Sequence, residues 1–592
     1  MIRPAHNAPL PAEAGIALEM RRRDAFRVVF GAAAASLVGL DAMALPTVVP
    51  QFLHGVASGE PHTTSVVLWT RVTQSGTSPL VVDWKLSATA DMATPVAQGT
   101  ARAVAASDWT VKVIPNGLTA GATYWYQFTC NGVASPVGRT RTLPDANSTA
   151  AVNLAVFSCT NFVKGYFNAY GEAAKDDSLF GMCHLGDYTY EYGPAAYQTT
   201  ALALGLVTEP RADQLAPMAE TVSLAAYRTR QALYHSDPQL QAAHQNFPWF
   251  AIYDDHETAN DSWTGGAENH HPATQGDWQA RKQAALQAWY EWLPVRSVNP
   301  RFDANGNPET LYRHVDFGKV ARLVLLDTRL AGRDQQLTPT AMGNAYGYYA
   351  QTGSWALDTV GGRPRTLMGA GQEAWVDTVL SKSKQTWQLI GNQILLHYQI
   401  APDFLNAPGL TDTQRATISA TIDGIFGAGA GAQFGQVGAL GLPNPATQDS
   451  WNGYPTARNR FYASLLKAAN PVVLSGDSHN AWAANLAVGS TKVGVEFGGT
   501  SVTSPGYEQT FPGFDPALLG GLITYSSQTK SHTDKLQWCE LASRGFMKVS
   551  ASPTQLTTTF VFVSTVFSTT YTTTTKSFTV APGSRQMTAV TT

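Results

Sequence analysis

The 592-residue sequence predicts an α/β catalytic domain preceded by a small β-sandwich. Three observations lead to it. Short strands bounded by turn residues crowd the region after Pro46. From Val152 onward, apolar strands alternate with helical stretches. Polar, ligand-type residues gather just past the ends of those strands, at Cys159, Asp187, Asp255 and Asp477. In α/β sheets that edge is where sites form, because strand ends and loops converge there.

Length and composition set the frame. A chain this long exceeds what one hydrophobic core organises, so two or more domains are expected. Hydrophobic residues make up 44% and charged residues 14%, ample material for a large core. A formal net charge of -3 argues against a protein held to nucleic acid by charge. Cys130, Cys159, Cys183 and Cys539 show no CxxC spacing, and each alone reads as a small buried hydrophobe.

The elements follow in chain order. Arg21, Arg22 and Arg23 precede an apolar run from Val28 to Leu40, and Ala42-Met43-Ala44 follows as a small-x-small cleavage site. This predicts a signal peptide over residues 1–44. The paired arginines point to the twin-arginine export machinery. The apolar run is too short for a bilayer of about 30 Å, and no second long apolar stretch follows, so no stable membrane span is expected. Residues 45–145 form the predicted β-sandwich, with strands around Ser65 to Val72, Leu80 to Leu86 and Thr123 to Thr129, closing near Leu143-Pro144.

Residues 146–592 form the predicted catalytic domain. Strands are expected at Val152 to Phe157, Leu179 to Leu185, Phe247 to Tyr253, Ala321 to Leu326, Trp387 to Leu396 and Pro471 to Leu474. Helices are expected around Ala169 to Asp176 and from Asp277 to Trp292. The Gly/Ala-rich stretch Gly427 to Gly441 reads as an insertion without identifiable chemistry, and the Thr-rich run Thr557 to Thr574 as hairpins.

The strand-end clusters carry the chemistry. In Gly186-Asp187-Tyr188-Thr189-Tyr190 the glycine permits a tight turn, and Asp187 offers two oxygens, enough to bridge two cations. Tyr190, three residues on, returns to the same centre if a helical turn begins there. As a phenolate it would be a hard ligand suited to a trivalent ion. Read alone, Asp187 is also a helix cap. Asp254-Asp255-His256-Glu257 packs three carboxylates around one imidazole, a crowding that a cation relieves. One Asp would bind the ion, and His256 would pass a proton to substrate or leaving group; the alternative is a surface acidic turn. Asp477 and His479 follow Gly476 at i and i+2, so on an extended segment both face one metal pair. A Cys159 thiolate would bind a transition metal.

Together the clusters fit a mixed pair: a transition ion near Cys159, Tyr190 and His479, and a harder ion on the carboxylate side. Two cations about 3.5–4 Å apart clamp a phosphate and hold a hydroxide in line. The sequence has no G-x-S-x-G elbow, P-loop, dinucleotide loop or HExxH motif to support other chemistry.

The stretches Phe52 to Pro61 (FLHGVASGEP), Val67 to Val72 (VLWTRV), Ser158-Cys159-Thr160-Asn161, His184 to Gly193 (HLGDYTYEYG), Asp254 to Asp261 (DDHETAND), Leu326 to Arg329 (LDTR), Ser475 to Asn480 (SGDSHN) and Glu496 to Gly506 (EFGGTSVTSPG) carry a resemblance. The chain resembles a PhoD-type alkaline phosphatase, of the calcineurin-like metallophosphatase superfamily. The resemblance implies an immunoglobulin-like sandwich before a four-layer αββα domain. It implies a periplasmic or secreted enzyme, expected as a monomer, that releases phosphate from small phosphomonoesters or phosphodiesters with a metal-bound hydroxide. It implies ferric iron, Fe3+, on Cys159, Asp187, Tyr190 and His479, with Asp187 bridging, and calcium, Ca2+, on Asp477 with either Asp255 or Asn260. It makes His256 the contact to the substrate phosphate, with His256 and Asp255 as the expected catalytic residues. Thr160, Asn452 and the Thr-rich tail depart from the family pattern. Arg329 and Arg458 read as structural arginines ahead of phosphate ligands. Two other readings stay open: a phospholipase D-like diesterase acting on phospholipids, and a secreted binding protein that has lost its metals.

Overall fold

The computed structural model describes residues 50–194, 209–215, 218–296, 311–337, 359–360, 363–510 and 515–590. The leader expected over residues 1–44 lies outside them. Two large sheets dominate the described residues. The first has ten strands, in the order Met587–Ala589, Thr573–Val580, Leu556–Val563, Arg544–Ala551, Val152–Phe157, Gly181–His184, Pro248–Ala251, Val56–Gly59, Val67–Arg71 and Thr110–Val113. The second has seven, in the order Arg313–Phe317, Ala321–Leu325, Trp387–Gly391, Pro471–Ser475, Thr491–Gly498, Ala481–Val488 and Lys535–Glu540.

The central strands are apolar on both faces because both faces are covered. Val152, Leu154 and Val156 enter the core between the two sheets, whereas Ala155 and Phe157 enter a second core beneath the helices Asn168–Ala173, Pro238–Asn246 and Trp278–Trp292. The facing sheet repeats the period of two: Leu323, Leu389, Val472 and Leu474 pack between the sheets, and Val324, Ile390 and Val473 pack against the helices Gly369–Lys382 and Pro455–Leu465. The result is a helix–sheet–sheet–helix stack. Within it Val152–Phe157, Gly181–His184 and Pro248–Ala251 run parallel, as do Ala321–Leu325, Trp387–Gly391 and Pro471–Ser475. Parallel strands end on one edge, and so do the loops that follow them.

Helix Trp278–Trp292 starts where Asp277 caps the Ala280 N–H at 2.9 Å and stops at Leu293, the residue before Pro294. The helical stretch expected to reach Asp176 ends at Ala173, and the strand expected to reach Leu396 ends at Gly391.

The N-terminal sandwich shares a sheet with the catalytic region. Strands Leu80–Ser87, Pro95–Ala103, Thr123–Cys130, Val133–Ala134 and Gly138–Arg141 form a separate sheet. It packs through Val82, Leu86, Tyr124, Tyr126 and Phe128 onto Val56, Leu68 and Val111. Those last three belong to the ten-stranded sheet, where Val56–Gly59 pairs in parallel with Pro248–Ala251. The Thr-rich tail is a hairpin of Leu556–Val563 with Thr573–Val580 that extends the same sheet and sends Phe560 and Phe578 into the inter-sheet core. The Gly/Ala-rich stretch forms helix Ala430–Ala439 against Asp412–Phe426. A Cβ on Gly431 would lie 2.2 Å from the Ser419 carbonyl oxygen, so only glycine allows these helices to touch backbone to backbone.

Candidate active site

Four strands deliver the site. Val152–Phe157 leads to Cys159, Gly181–His184 to Asp187, and Pro248–Ala251 to Asp254, Asp255 and His256; Pro471–Ser475 of the facing sheet leads to Asp477 and His479. Cys159, Asp187, Asp477 and His479 all have positive φ, at 59°, 56°, 63° and 62°. A left-handed non-glycine residue costs roughly 1–2 kcal/mol, and such strain persists where surrounding structure aims a side chain at a centre. Asp477 and His479 therefore do not share a face of an extended segment, as the sequence suggested; left-handed backbone turns both toward the site. No helical turn carries Tyr190 either. Residues 185–190 form an irregular loop, and the Tyr190 hydroxyl donates back to Asp187 Oδ2 at 3.0 Å.

Backbone contacts lock these loops together. Cys159 N–H donates to the Gly186 carbonyl at 3.1 Å and Thr160 N–H to the Asp187 carbonyl at 2.8 Å. Gly186 has φ 109°, and a Cβ there would sit 2.3 Å from the Cβ of Asp254. The buried Glu257 carboxylate accepts the N–H groups of Asp187 at 3.0 Å, Tyr188 at 2.7 Å and Asp254 at 3.0 Å. The expected crowd of three carboxylates around His256 is thus dispersed. Glu257 faces the backbone, Asp254 faces Arg329, and the His256 ring donates from Nδ1 to Glu191 Oε2 at 2.8 Å.

The side chains converge in three groups that share Asp187, one of them Asp187 with Asp255 and His256. Donor atoms of Cys159, Asp187 and His479 lie within 4.8 Å of one another, and so do carboxylate oxygens of Asp187, Asp254, Asp255 and Asp477. Asp255 also meets Asp261 and Asp449 in the same way. The Asn260 amide, by contrast, donates to Glu268.

Proton counting tests whether this set suits cations. The Pro505 carbonyl can only accept, so the His479 proton is on Nδ1, 2.7 Å away, and Nε2 carries a lone pair. That Nε2 lies 3.1 Å from the Tyr190 hydroxyl, whose one proton must also serve Asp187. Two acceptors compete for a single proton in a buried site, and Asp254 Oδ2 and Asp255 Oδ1 are buried without a hydrogen-bond partner. Burial and neighbouring anions push the Cys159, Asp187 and Asp477 acids far above their usual ranges, Asp254 to about 7 and Glu257 to about 8. Burial lowers His479 to about 4, which keeps it a neutral ligand. Asp255, burial notwithstanding, is held below the carboxylate range by Arg329 and His256. Thiol, phenol, imidazole and carboxylate on one side suit a transition or ferric ion, and carboxylates alone on the other suit a harder cation. The residues fit a metal pair.

The sequence model of the PhoD-like phosphatase family matches residues 154–560, and that of the PhoD-like phosphatase N-terminal domain matches residues 40–144. The chain is 33% identical over 474 residues to "Alkaline phosphatase D" of Bacillus subtilis (strain 168), covering 77% of this chain and 70% of that protein. The chain belongs to the PhoD-like phosphatase family. It is also similar to the solved "Structure of PhoD", with a TM-score of 0.71 and 28% identity over 91% of this chain and 92% of that one. It is therefore a phosphoric ester hydrolase.

Several site residues of this PhoD-like phosphatase escaped the sequence reading. Glu191 lies four residues past Asp187 in the same motif, yet nothing in one sequence indicates that its carboxylate meets His256, 65 residues on. Asp449 is bound by both Arg329 and Arg333. Arg329 is fully buried and also reaches Asp254 and, at 3.2 Å, Asp477; it is an internal counter-ion of the acidic group. Arg458 lies away from these carboxylates, donating to Asn452 Oδ1 at 3.1 Å. Asn452 in turn donates its amide to the Gln399 carbonyl at 2.6 Å and to Thr447 Oγ1 at 2.8 Å.

Proposed function

We propose that this chain is an exported, metal-dependent enzyme that releases phosphate from phosphomonoesters or phosphodiesters, with residues 1–44 as a twin-arginine leader, 45–145 as the N-terminal domain and 146–592 as the catalytic unit. The observation that carries the reading is the convergence of Cys159, Asp187, Tyr190 and His479 on one point, with Asp255 and Asp477 across the shared Asp187.

Cys159, Asp187, Tyr190 and His479 would hold ferric iron, and Asp187, Asp255 and Asp477 would hold calcium. When bound, the cations supply charge for the phosphoryl oxygens and acidify water at neutral pH. The chain's own residues do the rest. Pro505 and Ser504 keep the His479 and Tyr190 side chains aimed inward, with Ser504 Oγ 2.7 Å from the Tyr190 hydroxyl. Arg329 draws Asp477 and Asp254 to one side. His256, held at Nδ1 by Glu191, would meet the phosphoryl oxygens through Nε2. No helix among the described residues is long and apolar enough to cross a membrane.

The test is release of phosphate from a chromogenic aryl monoester before and after chelation of calcium, alongside elemental analysis of the protein purified from its own compartment. Activity unchanged by chelation, with metal content near zero, rejects the reading. Parallel assays with a bis-aryl diester and phosphatidylcholine assign the substrate class.

A further inference from the structure

The Glu191 carboxylate hydrogen-bonds to none of the side chains that would hold metal, meeting Asn260 only at its backbone N–H, and its burial is nearly complete, at 1% exposure. A carboxylate so placed must have every oxygen occupied, and it does. Oε2 accepts from His256 Nδ1 at 2.8 Å, while Oε1 accepts from the Asn260 backbone N–H at 2.7 Å and from Asn269 Nδ2 at 2.8 Å. Three donors from one loop therefore hold Glu191 in one position, and Glu191 in turn holds the His256 ring.

The ring has little other freedom. It stacks on Tyr190 with centroids 4.1 Å apart and 29° between planes, and meets the edge of Tyr192 at 5.2 Å. The His256 N–H faces Asp187 Oδ1 at 3.4 Å, which seats the residue beside the shared ligand. With Nδ1 committed to Glu191, Nε2 is the ring atom left for a substrate.

We propose that Glu191 is a positioning residue for the hydrolysis: by binding Nδ1 it fixes the orientation of the His256 ring and presents Nε2 to the phosphoryl group. This rests on the reading of His256 as the residue that meets the substrate. Glu191 acts through His256 and touches neither substrate nor metal. Asn269 stands behind it as the support of the second oxygen.

A double-mutant cycle in the full-length, metal-loaded protein tests this. Glu191→Gln and Glu191→Ala should each lower kcat/KM for the aryl monoester about 10–100-fold, the range for an outer-shell partner of a site residue. On a His256→Ala background, Glu191→Ala should cost less than about threefold, because the group through which it acts is already gone. Inorganic phosphate titrated calorimetrically should bind more weakly to Glu191→Gln and to His256→Ala by similar factors, with metal content unchanged. Glu191→Gln, nearly isosteric, serves if Glu191→Ala does not fold. Full activity in Glu191→Gln overturns the proposal, as does an equal Glu191→Ala loss with and without His256. A wild-type protein without chelator-sensitive hydrolysis instead overturns the underlying reading of the site, and a cycle that is additive in an active enzyme overturns only the role of Glu191.

Discussion

The Tyr190 hydroxyl lies 3.1 Å from His479 Nε2 across 289 residues of chain and 3.0 Å from Asp187 Oδ2, with a single proton for both acceptors. A cation held by Tyr190 and His479 would remove the conflict by taking both lone pairs in place of the proton. Tyr190→Phe should therefore leave the fold intact, lower bound iron and reduce turnover by at least about a hundredfold, beyond the range of outer-shell losses. If phenolate and thiolate bind ferric iron, the wild type is coloured and Tyr190→Phe loses most of the visible band. A colourless, fully active wild type would reject iron while leaving hydrolysis standing.

Asp255 and Asn260 compete for the second-ion role, and their surroundings differ. Asp255 has a carboxylate oxygen within 4.8 Å of the Asp187 and Asp477 oxygens, whereas Asn260 donates Nδ2 to Glu268 and has Oδ1 as the atom that could meet an ion. Asp255→Asn should raise the calcium concentration needed for half-maximal activity by at least about tenfold, and Asn260→Ala by less. The reverse order in a calcium titration assigns the ligand to Asn260.

Arg329 is buried among Asp254, Asp255, Asp449 and Asp477. Its removal leaves buried carboxylates without their counter-charge, a change that costs about 3–5 kcal/mol. Arg329→Met should lower the unfolding free energy of the chelated protein by that amount in urea. Loaded cations would compensate part of the lost charge, so the metal-loaded variant should lose less.

Acid should destabilise the protein through the buried cluster of Tyr188, His235 and His244. The Tyr188 hydroxyl lies 3.1 Å from His235 Nε2 and 2.8 Å from His244 Nε2. Burial lowers His235 well below 6.5 and His244 to about 3. Between about 3 and 6.5 the unfolded chain binds protons that the folded chain refuses, so stability falls as pH drops through that window and is unaffected by these groups above it. The carboxylates raised in the site slope the other way, and the comparison must therefore be differential. His244→Gln should flatten the acid limb of the stability profile by up to one proton, about 1.4 kcal/mol per pH unit. Parallel limbs for the two proteins would exclude His244 as a titrating group.

Gly186 has both a positive φ and a neighbour where its Cβ would be. Gly186→Ala should push the Asp187 and Asp254 loops apart and cost activity more than stability, since a 1 Å misplacement alone can cost about a hundredfold in rate. Wild-type kcat with a lowered Tm would instead mark Gly186 as a folding residue only.

The site was legible in part because strand-end chemistry is local. An apolar run of period two, a glycine and a carboxylate are adjacent in sequence, so Cys159, Asp187, Asp255 and Asp477 could be placed at strand ends from the residues alone. The way each side chain reaches the centre was not. Asp477 and His479 looked coplanar on an extended segment and instead sit in left-handed backbone, because a loop's φ values follow from the contacts that hold it, and those contacts come from Thr500, Pro505 and Arg329. The sandwich was visible as strands, but not the sharing of its sheet through the parallel pairing of Ser58 with Pro248.

Composition, turn residues and alternating apolar strands determined that this chain is an α/β protein with a β-rich front and a ligand-bearing strand edge. Only the tertiary structure decided that Glu191 holds His256, that Arg329 lies inside the acidic group, and that the Thr-rich tail extends the ten-stranded sheet. Local pattern follows from the geometry of neighbouring residues, which one sequence carries in full. Partnerships between distant side chains depend on strand order and sheet packing, which set buried charges against one another and appear in no short window of sequence.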